Sequence, residues 1–154
     1  MRALVRVVIL TALSVGLCLA AADPAIGTWK LNVAKSTYSP GPAPKSATMA
    51  YEASGDGVKR TGETVAADGQ TTSFTYTAQY DGKDYPVSNN PNADMIALKR
   101  INKYTSEATL KKGGKMTTTA RRVVSKDGKT LTLTLKGTNA QGQAVNNMSV
   151  YERQ

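Results

Sequence analysis

The sequence predicts an all-β protein, an antiparallel up-and-down β-barrel of about ten strands preceded by a signal peptide. Three observations point there. Turn signals recur at near-regular intervals: Ser54-Gly55-Asp56-Gly57, Asp68-Gly69, Asp81-Gly82, Asn89-Asn90-Pro91-Asn92, Asn102-Lys103, Gly113-Gly114, Asp127-Gly128 and Gln141-Gly142. Asp-Gly and Gly-Gly supply the positive φ that tight hairpins need. The segments between them are rich in Thr, Val, Tyr and Leu and alternate with period two. In Thr130-Leu131-Thr132-Leu133-Thr134-Leu135 every leucine falls on one face. Beyond the leader, no segment repeats apolar residues at helical spacing. Sequential hairpins make a meander, and a long meander removes its exposed edges by closing. A two-sheet sandwich uses the same strands and is the alternative architecture.

The elements follow in chain order. Residues 1–22 read as a signal peptide: Arg2 and Arg6 form a basic start, Leu4 to Leu19 is almost wholly apolar, and Ala20-Ala21-Ala22 offers small residues for cleavage before Asp23. The competing readings are a membrane anchor and a lipid anchor on Cys18. The apolar stretch is short for a span of ~20 residues, and Leu17 is not the small residue that lipoprotein processing wants before the cysteine. Residues 23–154, 132 in number, then form one barrel domain located in the periplasm or outside the cell. Its strands are expected near 27–32, 46–53, 58–66, 71–80, 84–87, 94–101, 104–111, 115–125, 130–138 and 144–152. Ser39-Pro40-Gly41-Pro42-Ala43-Pro44 cannot pair and reads as a stiff connector crossing one barrel end.

Composition narrows the chemistry. The chain has no histidine, and its one cysteine, Cys18, leaves with the leader. Ser-His-Asp and Cys-His catalysis, zinc sites built on His or Cys, and His-ligated haem are excluded. The expectation is therefore no enzyme, no cofactor and no metal. Without Arg2 and Arg6, the 20 basic residues become 18 against 11 acids, a net charge of +7. Such a surface attracts anionic partners, an envelope surface among them. Nucleic acid is not expected, because the chain is read as exported and no stretch interleaves aromatics regularly with basic residues.

Side-chain parity points to a site. Lys59-Arg60, Lys99-Arg100 and Arg121-Arg122 are adjacent basic pairs in strands, so each sends one charge to either face. Arg60 shares parity with Val58, Arg100 with Ile96 and Leu98, and Arg122 with Met116, Ala120 and Val124. On these neighbours Arg60, Arg100 and Arg122 point inward. Val65, Ile101 and Val123 favour the opposite assignment, and a β-bulge would flip any of the strands. Glu52, Glu63 and Glu107 have the wrong parity to neutralise inward arginines. Unpaired guanidiniums in a dry cavity are costly, so the cavity should be wet or hold an anion. Tyr51, Tyr76 and Tyr80 share parity with Met49, Phe74 and Ala78 and would line it.

Gly27-Thr28-Trp29-Lys30-Leu31 resembles the first strand of the calycin barrels, the lipocalins and intracellular fatty-acid-binding proteins. Val150-Tyr151-Glu152-Arg153 is similar to the last strand of the fatty-acid-binding group. The longer run Gly27 to Asn32 with Lys35-Ser36 resembles small exported bacterial lipocalin-like proteins. The resemblance implies a small molecule held inside the barrel, a floor built on Gly27 and Trp29, Arg153 as a cover for Trp29, and Tyr151 as a ligand contact. Two positions depart from the pattern. Ser149 stands where the fatty-acid-binding group has an arginine two residues before the tyrosine, and the proline segment replaces that group's helical lid. The function expected is an exported binding protein for a small hydrophobic molecule or an apolar or anionic amphiphile. The alternative is a filled barrel that acts as an interaction or envelope-associated module through its basic surface.

Overall fold

A computed structural model describes residues 22–154; all of the expected leader except Ala22 lies outside the described residues. Ten strands follow one another: β1 (Gly27–Thr37), β2 (Ser46–Ser54), β3 (Gly57–Val65), β4 (Thr71–Gln79), β5 (Asp81–Ser88), β6 (Met95–Asn102), β7 (Thr105–Lys112), β8 (Lys115–Val124), β9 (Thr130–Thr138) and β10 (Ala144–Arg153). Each pairs antiparallel with its sequence neighbours, and β1 pairs with β10 to close the barrel. The fold is the closed meander and not the sandwich. Short polar side chains hold the hairpin turns. Asp68 Oδ1 accepts from Gln70 N at 2.9 Å, Asn102 Oδ1 from Tyr104 N at 2.9 Å, and Asp127 Oδ1 from Lys129 N at 3.0 Å.

The leucine-threonine alternation of β9 places Leu131 wholly inside, with Leu133 and Leu135 packed against the core. Lys59, Lys99 and Arg121 are exposed, as are Ile101 and Val123. Those two apolar residues therefore lie on the outer face. Met116 corrects the expectation for β8: it is 66% exposed and does not share the inner face with Arg122. The β7–β8 register runs Leu110 opposite Thr118 but Lys111 opposite Met116, and the extra residue reverses the alternation. β1 runs five residues beyond its expected end for a similar reason. Lys35 N donates to Asn32 Oδ1, Ser36 Oγ donates to Asn32 O, and the pairing with β10 slips between Asn32 and Thr37. A slipped ladder erases the period-two signal while the strand continues. β4 and β5 pair only at Thr75–Ser88 and Tyr76–Val87, and Pro86, next along, has no N–H with which to extend the ladder.

The two barrel ends differ. One, here the floor, gathers the start of β1, the end of β10 and the β2–β3, β4–β5, β6–β7 and β8–β9 turns. The other, the mouth, gathers the β1–β2 connector and the remaining turns. Trp29 is fully buried at the floor and donates from Nε1 to Ala25 O at 2.8 Å. The Arg153 guanidinium stacks 4.2 Å from the Trp29 ring and donates to Ile26 O at 2.7 Å, Pro24 O at 2.6 Å and Gly128 O. One side chain thus ties both ends of the barrel chain to the β8–β9 turn. Gly27 permits it: φ is +129°, and a Cβ there would run into Arg153 Nη1. At the mouth, the proline connector crosses the end. Asn146 N donates to Ser39 O at 2.7 Å, and Tyr38 OH lies 3.0 Å from Ser149 Oγ.

Candidate functional site

The floor holds a charged network. Asp23 precedes β1, and its side chain is 11% exposed. Its Oδ2 accepts from Tyr80 OH at 2.6 Å, Arg100 Nη2 at 3.0 Å and Arg122 Nη2 at 3.4 Å, while Oδ1 accepts from Ala25 N at 2.9 Å. Arg122 Nη2 also donates to Tyr80 OH at 2.6 Å. The counter-ion for Arg100 and Arg122 is therefore Asp23, which lies outside every strand and so outside the parity argument that set aside Glu52, Glu63 and Glu107. Burial works against the Asp23 charge, but Arg122, Tyr80, the Ala25 amide and Arg100 outweigh it and hold its pKa below the ordinary carboxylate value. Burial pushes Tyr80 up to about 12, with the Asp23 carboxylate adding to it and Arg122 opposing.

A group with a depressed folded pKa stabilises the fold above its unfolded pKa and loses that contribution as pH falls through the folded value. Asp23→Asn is expected to cost about 1–3 kcal/mol at pH 7, the scale of hydrogen bonds to a charged group. The gap between variant and wild type should close as pH drops below 3.8, the ordinary carboxylate value. Urea unfolding followed from pH 7 to pH 2 measures both.

Above the floor lies a cavity of about 220 Å³. Its wall is mainly apolar, formed by Phe74, Ile96, Leu98, Ala108, Leu110, Ala120, Leu133 and Leu135. Its polar side is Tyr51, Arg60, Tyr76 and Arg122, with Ser106 and Asn90. The Glu107 carboxylate is turned to the outer face, where it accepts from Arg121 Nη1 at 2.7 Å. A second space of about 240 Å³ shares Asn90, Leu110 and Leu135 with the first and is lined towards the mouth by Pro40, Asn92, Asn139 and Asn147. The first cavity has the volume of roughly seven liquid waters. That is below the ~300 Å³ typical of drug-sized sites, so an occupant would be small.

The two cavity arginines differ. Arg122 is 6% exposed and paired with Asp23, and its guanidinium lies 4.7 Å from the Tyr51 ring. Burial works against its charge, yet Tyr51, Tyr80, Tyr76 and Asp23 hold its pKa above the usual arginine value. Its Nε is buried with no partner among the described residues. Arg60 stacks 4.4 Å from the Phe74 ring and has only two long contacts, Phe74 O at 3.3 Å and Met49 Sδ at 3.8 Å. Among the described residues no carboxylate lies within 4.0 Å of it. Gly62 makes room, because a Cβ there would sit 3.0 Å from Arg60 Nη2. Tyr51 is paired in register with Arg60 and stacked by Arg122. Burial would raise its hydroxyl, but Arg122 and Arg60 outweigh it and draw its pKa below 10. Burial pushes Tyr76 well above 10.

Of the residues expected to line a site, Arg60, Arg122, Tyr51 and Tyr76 come together at this cavity. Arg100 and Tyr80 do not line it. Arg100 stacks 3.9 Å from the Tyr80 ring in the floor with its side chain 35% exposed. Tyr151 is 7% exposed on the inner face, opposite Leu31 and Leu131, and outside the cavity lining. Burial pushes its hydroxyl up to about 12. Gly27 and Trp29 form the floor.

No protein-family model matches the chain, and no curated protein matches it. Among solved structures it is similar to the crystal structure of zebrafish ileal bile acid-binding protein complexed with cholic acid. That likeness covers 85% of this chain and 99% of the other at 12% identity, with a TM-score of 0.48. The fold itself is a closed ten-stranded antiparallel meander.

Proposed function

We propose that the protein is an exported, non-enzymatic binding protein that holds a small apolar or anionic amphiphilic molecule inside the barrel. One observation carries the reading: Arg60, a guanidinium without a carboxylate partner among the described residues, stands in the wall of a largely apolar cavity. A charge so placed favours an anion beside it, and the leucine-rich wall favours a short hydrocarbon body. The cavity is smaller than the ~300 Å³ of a drug-sized site; what favours this reading over a filled barrel acting through its basic surface is the convergence of Arg60, Tyr51 and Tyr76 on an apolar wall. Arg100 pairs with Asp23 at the floor and stands outside this cavity.

Native mass spectrometry of the full chain purified from its own host tests the proposal. The expected result is a non-covalent adduct with the mass of a small amphiphile, lost on denaturation. Protein that carries no adduct and also fails to bind added octanoate would overturn it.

A further inference from the structure

Arg122 belongs to both the cavity wall and the floor. On the floor side it meets Asp23 and Tyr80; on the cavity side it meets Tyr51 and presents a buried, unpartnered Nε. Among the described residues two cationic side chains therefore face the cavity, and only one has a counter-ion. That counter-ion is supplied from outside the cavity, because Asp23 is not part of its lining. The carboxylate is shared with Arg100, which also stands outside the lining and is partly hydrated. In a wall this apolar, each uncompensated charge calls for one opposite charge and resists a second.

We propose that Asp23 is a specificity-determining residue: by neutralising Arg122 from the floor it leaves Arg60 as the one uncompensated cation of the cavity, so the site takes an amphiphile with a single negative charge and discriminates against a dianionic head. This rests on the anionic-amphiphile reading above and adds the charge class and the residue that sets it. Removing the Asp23 carboxylate exposes the second positive charge and should admit dianions.

The test uses three probes with the same eight-carbon body, octanol, octanoate and octyl phosphate, titrated calorimetrically at pH 8, where the phosphate ester is mostly dianionic. The wild type should bind octanoate about tenfold more tightly than octanol, and octyl phosphate no more tightly than octanoate. Asp23→Asn should raise octyl phosphate affinity about tenfold relative to octanoate and leave octanol within about twofold. Arg100→Met breaks the other ion pair of Asp23 and loosens the floor in a comparable way, and it should leave the order of the three probes unchanged. Should Asp23→Asn not fold, the double variant Asp23→Asn/Arg122→Gln reads the same balance, since removing both partners is milder than stranding one. Loss of a neutral pair leaves Arg60 as before, so the octanoate-to-octanol ratio should change less than about threefold. An unchanged phosphate-to-octanoate ratio in Asp23→Asn, or an equal change in Arg100→Met, overturns the role of Asp23 alone. So does collapse of the octanoate preference in the double variant. A wild type that does not prefer octanoate to octanol overturns the anionic-amphiphile reading itself.

Discussion

Trp29→Ala is expected to cost about 3–5 kcal/mol, the usual penalty for emptying a large buried aromatic site. Trp29 is the largest fully buried side chain, it lies in register with Met49 of β2, and its indole nitrogen satisfies the Ala25 carbonyl. Alanine leaves a hole at the floor, an unpaired carbonyl, and no ring under the Arg153 guanidinium. For a domain of this size the midpoint of thermal unfolding should fall by roughly 10–20 °C. Trp29→Phe keeps most of the packing and loses the hydrogen bond, so it should cost only about 1–2 kcal/mol. Trp29 is absent from the cavity lining. Trp29→Phe should therefore leave octanoate affinity within about twofold of wild type, since only stability is touched. Circular dichroism melts with parallel calorimetric titrations separate the two. A Trp29→Phe protein that is stable but no longer binds would show that the ring contacts the occupant.

Ala120→Phe should do the reverse. Ala120 on β8 lies opposite Ala108 on β7, and both face the 220 Å³ cavity. Two small residues side by side on the inner face leave space that larger ones would fill. A phenyl ring there buries apolar area in a void and not in packed core. The change in stability should lie between neutral and about 1 kcal/mol favourable, while octanoate affinity should fall at least about a hundredfold, because the ring takes the hydrocarbon's place. Ordinary core overpacking instead destabilises by about 1–3 kcal/mol. A clear loss of stability with retained binding would mean that the space at Ala120 is not where the ligand sits.

The sequence made the inner and outer faces legible but not the height of a residue along the barrel. Alternation placed Arg60 and Arg122 inward and Lys59, Lys99 and Arg121 outward, because a regular strand must separate adjacent residues. It gave Arg100 the same standing as Arg60. Only the register shows that Arg100 reaches the floor turn while Arg60 remains beside Tyr51 and Tyr76. Met116 was misread because a bulge is invisible to a period-two pattern, and the end of β1 was missed for the same reason. Asp23 lay outside parity reasoning altogether, since a residue before the first strand has no face to be assigned. A signal was nevertheless present. Glu52, Glu63 and Glu107 had the wrong parity to meet inward arginines, and Asp23 stands six residues before the floor tryptophan. The arrangement of Arg153 over Trp29 matched what the resemblance to calycin barrels implied.

Everything proposed for the cavity turns on Arg60, whose guanidinium has no carboxylate partner among the described residues. Isothermal titration of octanoate and octanol into wild type and Arg60→Met tests its role most directly. Octanoate should lose at least about tenfold in affinity while octanol changes less than about twofold, because only the anion feels the lost guanidinium. Equal binding of octanoate by the two proteins would contradict the account.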